Sequence, residues 1–148
     1  MKKNAAVGTA ARRAVHFKKR AGSIGLGASS TLDLMKQIER GFAFETLLQL
    51  EENTGLSLSL LGWIIGIPPR TLVRRKAAGR IEPAESERLL RVSILFEKCV
   101  TSFKGDVNAA VAWLTSPKPA LNNHPPLLFA RTELGAREVE ALISRVHP

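Results

Sequence analysis

Arg70, Thr71, Arg74, Arg75, Lys76 and Arg80 stand in one short stretch, and Arg70 to Arg80 contains no Asp or Glu. Arginine can donate two parallel hydrogen bonds to guanine O6 and N7, and threonine can touch a thymine methyl or a phosphate. Any of the cations can pair with phosphate. On a helical wheel, Leu72, Val73 and Ala77 share one side, and Arg70, Thr71, Arg74 and Arg75 fall on the other. The pattern predicts an apolar face docked on the domain and a cationic face turned outward. Arg70, Thr71 and Arg74 are expected toward bases, and Arg75, Lys76 and Arg80 toward phosphates. Lys76 starts on the apolar side and has to reach out along its aliphatic stem. A solvated basic helix is the plain alternative for any such run, so the flanking elements decide.

They favour DNA. Ser57 to Ile65 reads as a helix, Gly66-Ile67-Pro68 as a tight turn, and the stretch from Pro69 to Ala78 as a second helix. Those are helix-turn-helix proportions, with glycine in the turn. Proline at a first helical position costs nothing, because that N–H has no intrahelical partner. The charge of the whole chain points the same way, with a net +9 over 148 residues. It is concentrated in two blocks. Met1 to Ala28 holds Lys2, Lys3, Arg12, Arg13, Lys18, Lys19 and Arg20 with no acid, and Arg70 to Arg80 is the second block. Elsewhere acids outnumber bases. Such blocks imply an anionic partner, nucleic acid ahead of a membrane surface.

Catalytic readings are weaker. His16, His124 and His147 lie far apart, and Asp33 and Asp106 fall where helices start. Glu85 and Glu87 open a helix, where their charge favours the macrodipole. Cys99, the single cysteine, sits in an apolar helical pattern and reads as a core residue; it excludes an intrachain disulfide. No Cys/His spacing matches a zinc site, and Gly22, Gly25 and Gly27 make no dinucleotide fingerprint. No catalytic residue, metal or cofactor is therefore expected. No apolar run approaches the ~20 residues of a membrane helix. The expectation is a cytoplasmic, DNA-associated protein without a membrane partner.

The elements that must position these groups all read as helices. Ser29, Ser30 or Thr31 caps a helix ending near Gly41, and a second runs from Phe44 to about Asn53. After the helix-turn-helix, a long helix starts at Glu82-Pro83 and reaches Phe103 with Leu89, Val92, Phe96 and Val100 as its stripe. Asp106 caps a helix through Leu114, Pro125 to Ala130 gives a short turn of helix, and Thr132 caps a last one through Val146. No segment alternates like a strand. The fold class is all-α: a flexible basic arm over 1–28, a helix-turn-helix domain over 29–103 and a small helical domain over 104–148.

The run from Asn108 to Leu142 is the most distinctive part. Ala110, Trp113 and Leu114 are followed by Pro117, Pro119, Leu121, Pro126, Leu127 and Leu128, then by Thr132, Gly135, Ala136, Val139 and Leu142. This order resembles the C-terminal toxin-binding domain of Xre/MbcA/ParS antitoxins. Arg70 to Lys76 and Glu85 to Arg91 resemble the same family, so the likeness covers roughly the last two-thirds of the chain. It implies an antitoxin whose cognate partner is a RES-domain toxin that consumes NAD or ADP-ribosylates a target. The C-terminal domain would bind that toxin and close its active site. A homodimer would repress its own operon at operator DNA. By the same resemblance, the last helix faces the toxin with Arg137, Glu138, Glu140, Ala141, Ser144, Arg145, Val146, His147 and Pro148. Trp113, Leu114 and the Pro117–Leu128 connector would shape the domain.

The chain departs from that pattern at Leu121-Asn122-Asn123-His124, where a glycine is usual, and at Val146-His147-Pro148, where a final glycine is common. The second departure leads to an expectation that Arg145 to Pro148, with a terminal carboxylate, plugs a pocket for an anionic cofactor on the toxin. The competing reading is a stand-alone helix-turn-helix repressor whose C-terminal domain only dimerises.

Overall fold

The computed structural model describes residues 14–27 and 30–146. Among them lie eight α-helices: α1 Thr31–Arg40, α2 Glu45–Thr54, α3 Leu58–Ile64, α4 Pro69–Ala78, α5 Pro83–Ser102, α6 Val107–Thr115, α7 Pro126–Phe129 and α8 Glu133–Val146. Two 3₁₀ turns, Gly22–Ile24 and Pro119–Leu121, complete the list. The described residues form no strand, only the isolated bridges Ala43–Arg80 and Lys118–His124.

Local chemistry sets most helix starts. Ser30 Oγ accepts the Asp33 N–H, Ser57 Oγ the Leu60 N–H, Asp106 Oδ1 the Ala109 N–H and Thr132 Oγ1 the Gly135 N–H, at 3.0–3.1 Å. Each satisfies a donor that the first helical turn leaves without a partner. At α5, Glu82 and Glu85 form a reciprocal capping box, with the Glu82 N–H donating to Glu85 Oε1 at 2.9 Å.

α5 is the axis of the molecule. At ~1.5 Å per residue its twenty residues span ~30 Å. Leu89, Val92, Phe96, Cys99 and Val100 are buried along it, and α1, α6, α8 and the Gly22–Ile24 turn all pack on it. α8 runs in the same direction as α5, because Arg91 faces Glu133 and Lys98 faces Glu140. Gly135 permits the start of α8 to close on α7: a Cβ there would collide with the Phe129 carbonyl. This gives the Thr132-x-x-Gly135-Ala136 spacing a steric reason.

The proline-rich connector is a compact turn. The Lys118 N–H donates to the His124 carbonyl at 3.2 Å, Leu121 and Leu127 enter the core, and Lys118 Nζ lies 5.0 Å above the Trp113 ring. Asn122 and Asn123 adopt φ of 56° and 63°. That left-handed region explains why glycine suits the position, and asparagine is among the residues that tolerate it.

The expected flexible arm needs correction. Residues 1–13 and 28 lie outside the described residues, but 14–27 are packed. Ala21, Ser23 and Ile24 are fully buried. Glu97, on α5, accepts the N–H groups of Ala21 and Ser23 at 3.1 and 2.9 Å, together with the Ser23 hydroxyl. The Val15 N–H reaches the Gly105 carbonyl at 2.9 Å, and Phe17 tilts against Phe96.

Candidate functional site

α3 and α4 form the helix-turn-helix. Gly66 turns the chain at φ 80°, a conformation glycine adopts without steric cost. The Ile67 N–H closes back to Gly62 O at 2.7 Å, and Arg88 Nε donates to Ile65 O at 2.7 Å from α5. The motif is therefore tied to the central helix on the side away from α4's outer face.

The expected wheel is rotated in the structure. Leu72 is the buried residue of α4, while Val73 is 70 % exposed and Ala77 is exposed. The outward face is Arg70, Val73, Arg74 and Ala77. Arg75 turns inward instead. Its Nε and Nη2 donate to Glu85 Oε1 and Oε2 at 2.9 and 3.0 Å, a bidentate pair of the strong kind. Burial pushes the Glu85 carboxyl up, but the Arg75 hydrogen bond, the Glu82 N–H and the nearby Arg75 and Arg88 charges outweigh it. The net effect holds Glu85 below the usual carboxylate range. The hydrogen bond to Glu85 correspondingly raises Arg75.

The expectation of Arg75 as a phosphate contact is corrected by this pairing: its guanidinium holds α4 to α5. Among the other expected contacts, Arg70, Arg74, Lys76 and Arg80 are exposed, and Thr71 is half-buried. Thr71 Oγ1 lies 3.4 Å from Arg74 Nη2, which donates to it, and Arg80 Nη1 donates to the Gly41 carbonyl. Val73 and Ala77 were missed as outward residues, because a wheel drawn on hydropathy alone places valine inside. The inward commitment of Arg75, four residues before Gly79, was the missing datum.

α8 divides cleanly. Ala136, Val139, Leu142 and Ile143 are buried. Arg137, Glu138, Ala141, Ser144 and Arg145 are exposed, while Glu140 is half-buried and pairs with Lys98. The Val146 side chain, His147 and Pro148 lie outside the described side chains, and the expected plug falls there. Arg137 pairs with Glu133 at 3.1 Å within its own helix. Leu134, 77 % exposed, shares the stripe of Glu138, Ala141 and Arg145. Sequence reasoning missed it, although its spacing of four and seven from Glu138 and Ala141 is the signal that finds it. Where the two regions meet, Arg131 stacks at 4.0 Å on the half-exposed Trp63 of α3.

Cys99 is fully buried, and burial pushes its thiol up to about 12. A thiol held protonated is a poor nucleophile. The described residues contain no cluster of three His, Cys, Asp or Glu side chains placed to hold a metal, and no helix among them is long and apolar enough to cross a membrane.

Comparison with known proteins matches both parts. Residues 33–93 match the antitoxin Xre-like helix-turn-helix domain, and residues 100–147 match the antitoxin Xre/MbcA/ParS C-terminal toxin-binding domain. An antitoxin Xre of Yersinia enterocolitica serotype O:8 / biotype 1B is 34 % identical over 124 residues, covering 83 % of this chain and 84 % of that protein. An antitoxin Xre of Photorhabdus laumondii subsp. laumondii is 33 % identical over 84 residues, covering 56 % of this chain and 57 % of that protein. With an outward cationic face on the second helix of its helix-turn-helix and an outward stripe on the helix that closes its toxin-binding domain, the chain belongs to the Xre antitoxin family.

Proposed function

We propose that this antitoxin binds a RES-domain, NAD-consuming toxin through the outer face of α8 and blocks its active site, and that a homodimer represses its own operon through α4. The observation that carries the reading is the split of α8 into a buried stripe and an exposed one. Leu134 is a large apolar side chain held out on a rigid helix, the kind of residue that anchors an interface. Arg137, Glu138, Ala141, Ser144 and Arg145 surround it with polar groups and one small residue. The RES identity of the toxin rests on the family resemblance.

On α4, Arg70 and Arg74 would donate to guanine, and Val73 and Ala77 would lie against thymine methyls. Thr71, Lys76 and Arg80 would take phosphates. A homodimer suits such a reader, with each recognition helix covering one half-site. The decisive experiment adds the purified chain to a purified RES-domain toxin of the same host and follows NAD. NAD should be preserved once the antitoxin is in stoichiometric excess. Undiminished consumption with a saturating excess would rule the inhibitor reading out, and the chain would then stand as a repressor alone.

A further inference from the structure

The N-terminal segment 14–27 lies outside both matched family regions, yet it is built into the fold. Glu97 clamps it at Ala21 and Ser23, Asn53 Nδ2 donates to the Ser23 carbonyl at 2.7 Å, and Val15 is hydrogen-bonded to Gly105. These contacts put the segment at the C-terminal end of α5. Because α8 runs parallel to α5, the C-terminal half of α8 arrives at the same end. Between them lies a groove of about 530 Å³, with Arg20 on one wall, Ile94, Glu97, Lys98, Thr101 and Ser102 along α5 on its floor, and Glu140, Ile143 and Ser144 on the other wall.

The groove has a cationic rim. Arg20 lines it, and the exposed Lys18, Lys19 and Arg145 adjoin its lining residues Arg20 and Ser144 along the chain. The nearest carboxylates are committed: Glu97 to Ala21 and Ser23, Glu140 to Lys98. Among the described residues no carboxylate pairs with Lys18, Lys19, Arg20 or Arg145. The recognition helix is fixed at the other end of α5, through Arg75 and Glu85, and ~30 Å of helix separates the two ends.

We propose that Lys18–Arg20 and the C-terminal half of α8 form one docking surface for an acidic stretch of the cognate toxin. The proposal rests on the antitoxin reading and extends the toxin-facing surface to a segment that the C-terminal domain does not contain. The aliphatic Ile94 and Ile143 and the cationic rim suit a short segment carrying carboxylates beside an aliphatic side chain, with the rim adding attraction that salt screens.

The test uses the full chain with the triple substitution Lys18→Glu, Lys19→Glu and Arg20→Glu, and separately Ser144→Glu on the opposite wall. All four side chains are exposed, so unchanged thermal melts are expected. Each variant is titrated against a purified RES-domain toxin of the same host and against a random-sequence DNA duplex. The expected result is a toxin Kd weakened roughly tenfold or more by either variant at low salt, with the difference shrinking at high salt. Duplex affinity stays unchanged. Wild-type toxin affinity in both variants overturns the docking surface, and a loss confined to Ser144→Glu, which the outer face of α8 alone accounts for, overturns it too. A loss confined to the duplex assigns the rim to DNA and overturns the proposal. If the unaltered chain does not bind that toxin, the antitoxin reading itself fails and the docking surface falls with it.

Discussion

Arg74 and Arg75 are adjacent in the chain, yet one faces outward and the other is locked to Glu85. The two therefore call for separate experiments. Arg74→Ala should weaken operator binding by about 1–3 kcal/mol with no change in melting temperature, measured by anisotropy titration. Val73→Ala should cost less, and the loss should be reproduced in the unaltered protein by replacing thymine with deoxyuridine at the contacted position. Glu85→Gln belongs to the other class. It should destabilise the fold by roughly 1–3 kcal/mol, because it leaves a hydrogen-bonded arginine without its carboxylate. The sign of the pH effect follows from the depressed Glu85 carboxyl. Its contribution is fully present above the ordinary value of 4.5 and is lost as pH falls through the lower folded value. The stability gap between wild type and Glu85→Gln should be constant near neutrality and close in acid, as read by urea unfolding at several pH values.

α8 concentrates the element-scale argument. Its buried stripe holds it against α5, and Gly135 lets its first turn reach the Phe129 carbonyl. Gly135→Ala should destabilise the chain by about 1–3 kcal/mol and weaken toxin binding through displacement of the helix. Leu134→Asp should do the opposite in kind: toxin affinity falls by about 2 kcal/mol or more while the melt is unaffected, since Leu134 is exposed. Calorimetric melts beside toxin titrations separate the two mechanisms. If both variants lose stability equally, Leu134 is a packing residue and the outer stripe is not the interface.

For the whole molecule, the hydrophobic core is one cluster that includes Ala21 and Ile24 at one end of the sequence and Leu142 and Ile143 at the other. Such a core should unfold as a unit. Calorimetry of the full chain should give one transition, with van't Hoff and calorimetric enthalpies in agreement. Two resolved transitions would mean that the helix-turn-helix and the toxin-binding domain are energetically independent. The stack of Arg131 on Trp63 and the Lys98–Glu140 pair are contacts between the two that would have to break.

The sequence by itself determined the all-helical class, the bounds of most helices and the helix-turn-helix. Those features depend on residues a few positions apart: Ser57 capping Leu60, Asp106 capping Ala109, Pro69 opening α4 and Gly79 ending it. The Xre family was legible too, because its Trp, Pro and Gly positions stand in fixed order along the chain. Only the tertiary structure decided which way α4 is turned and what the N-terminal segment does. Arg75 finds its partner across a turn, ten residues on, and Ser23 finds Glu97 seventy-four residues away. A wheel or a composition count assigns such groups to solvent. Pairing and burial between elements distant in sequence are set by packing, and no local period records them.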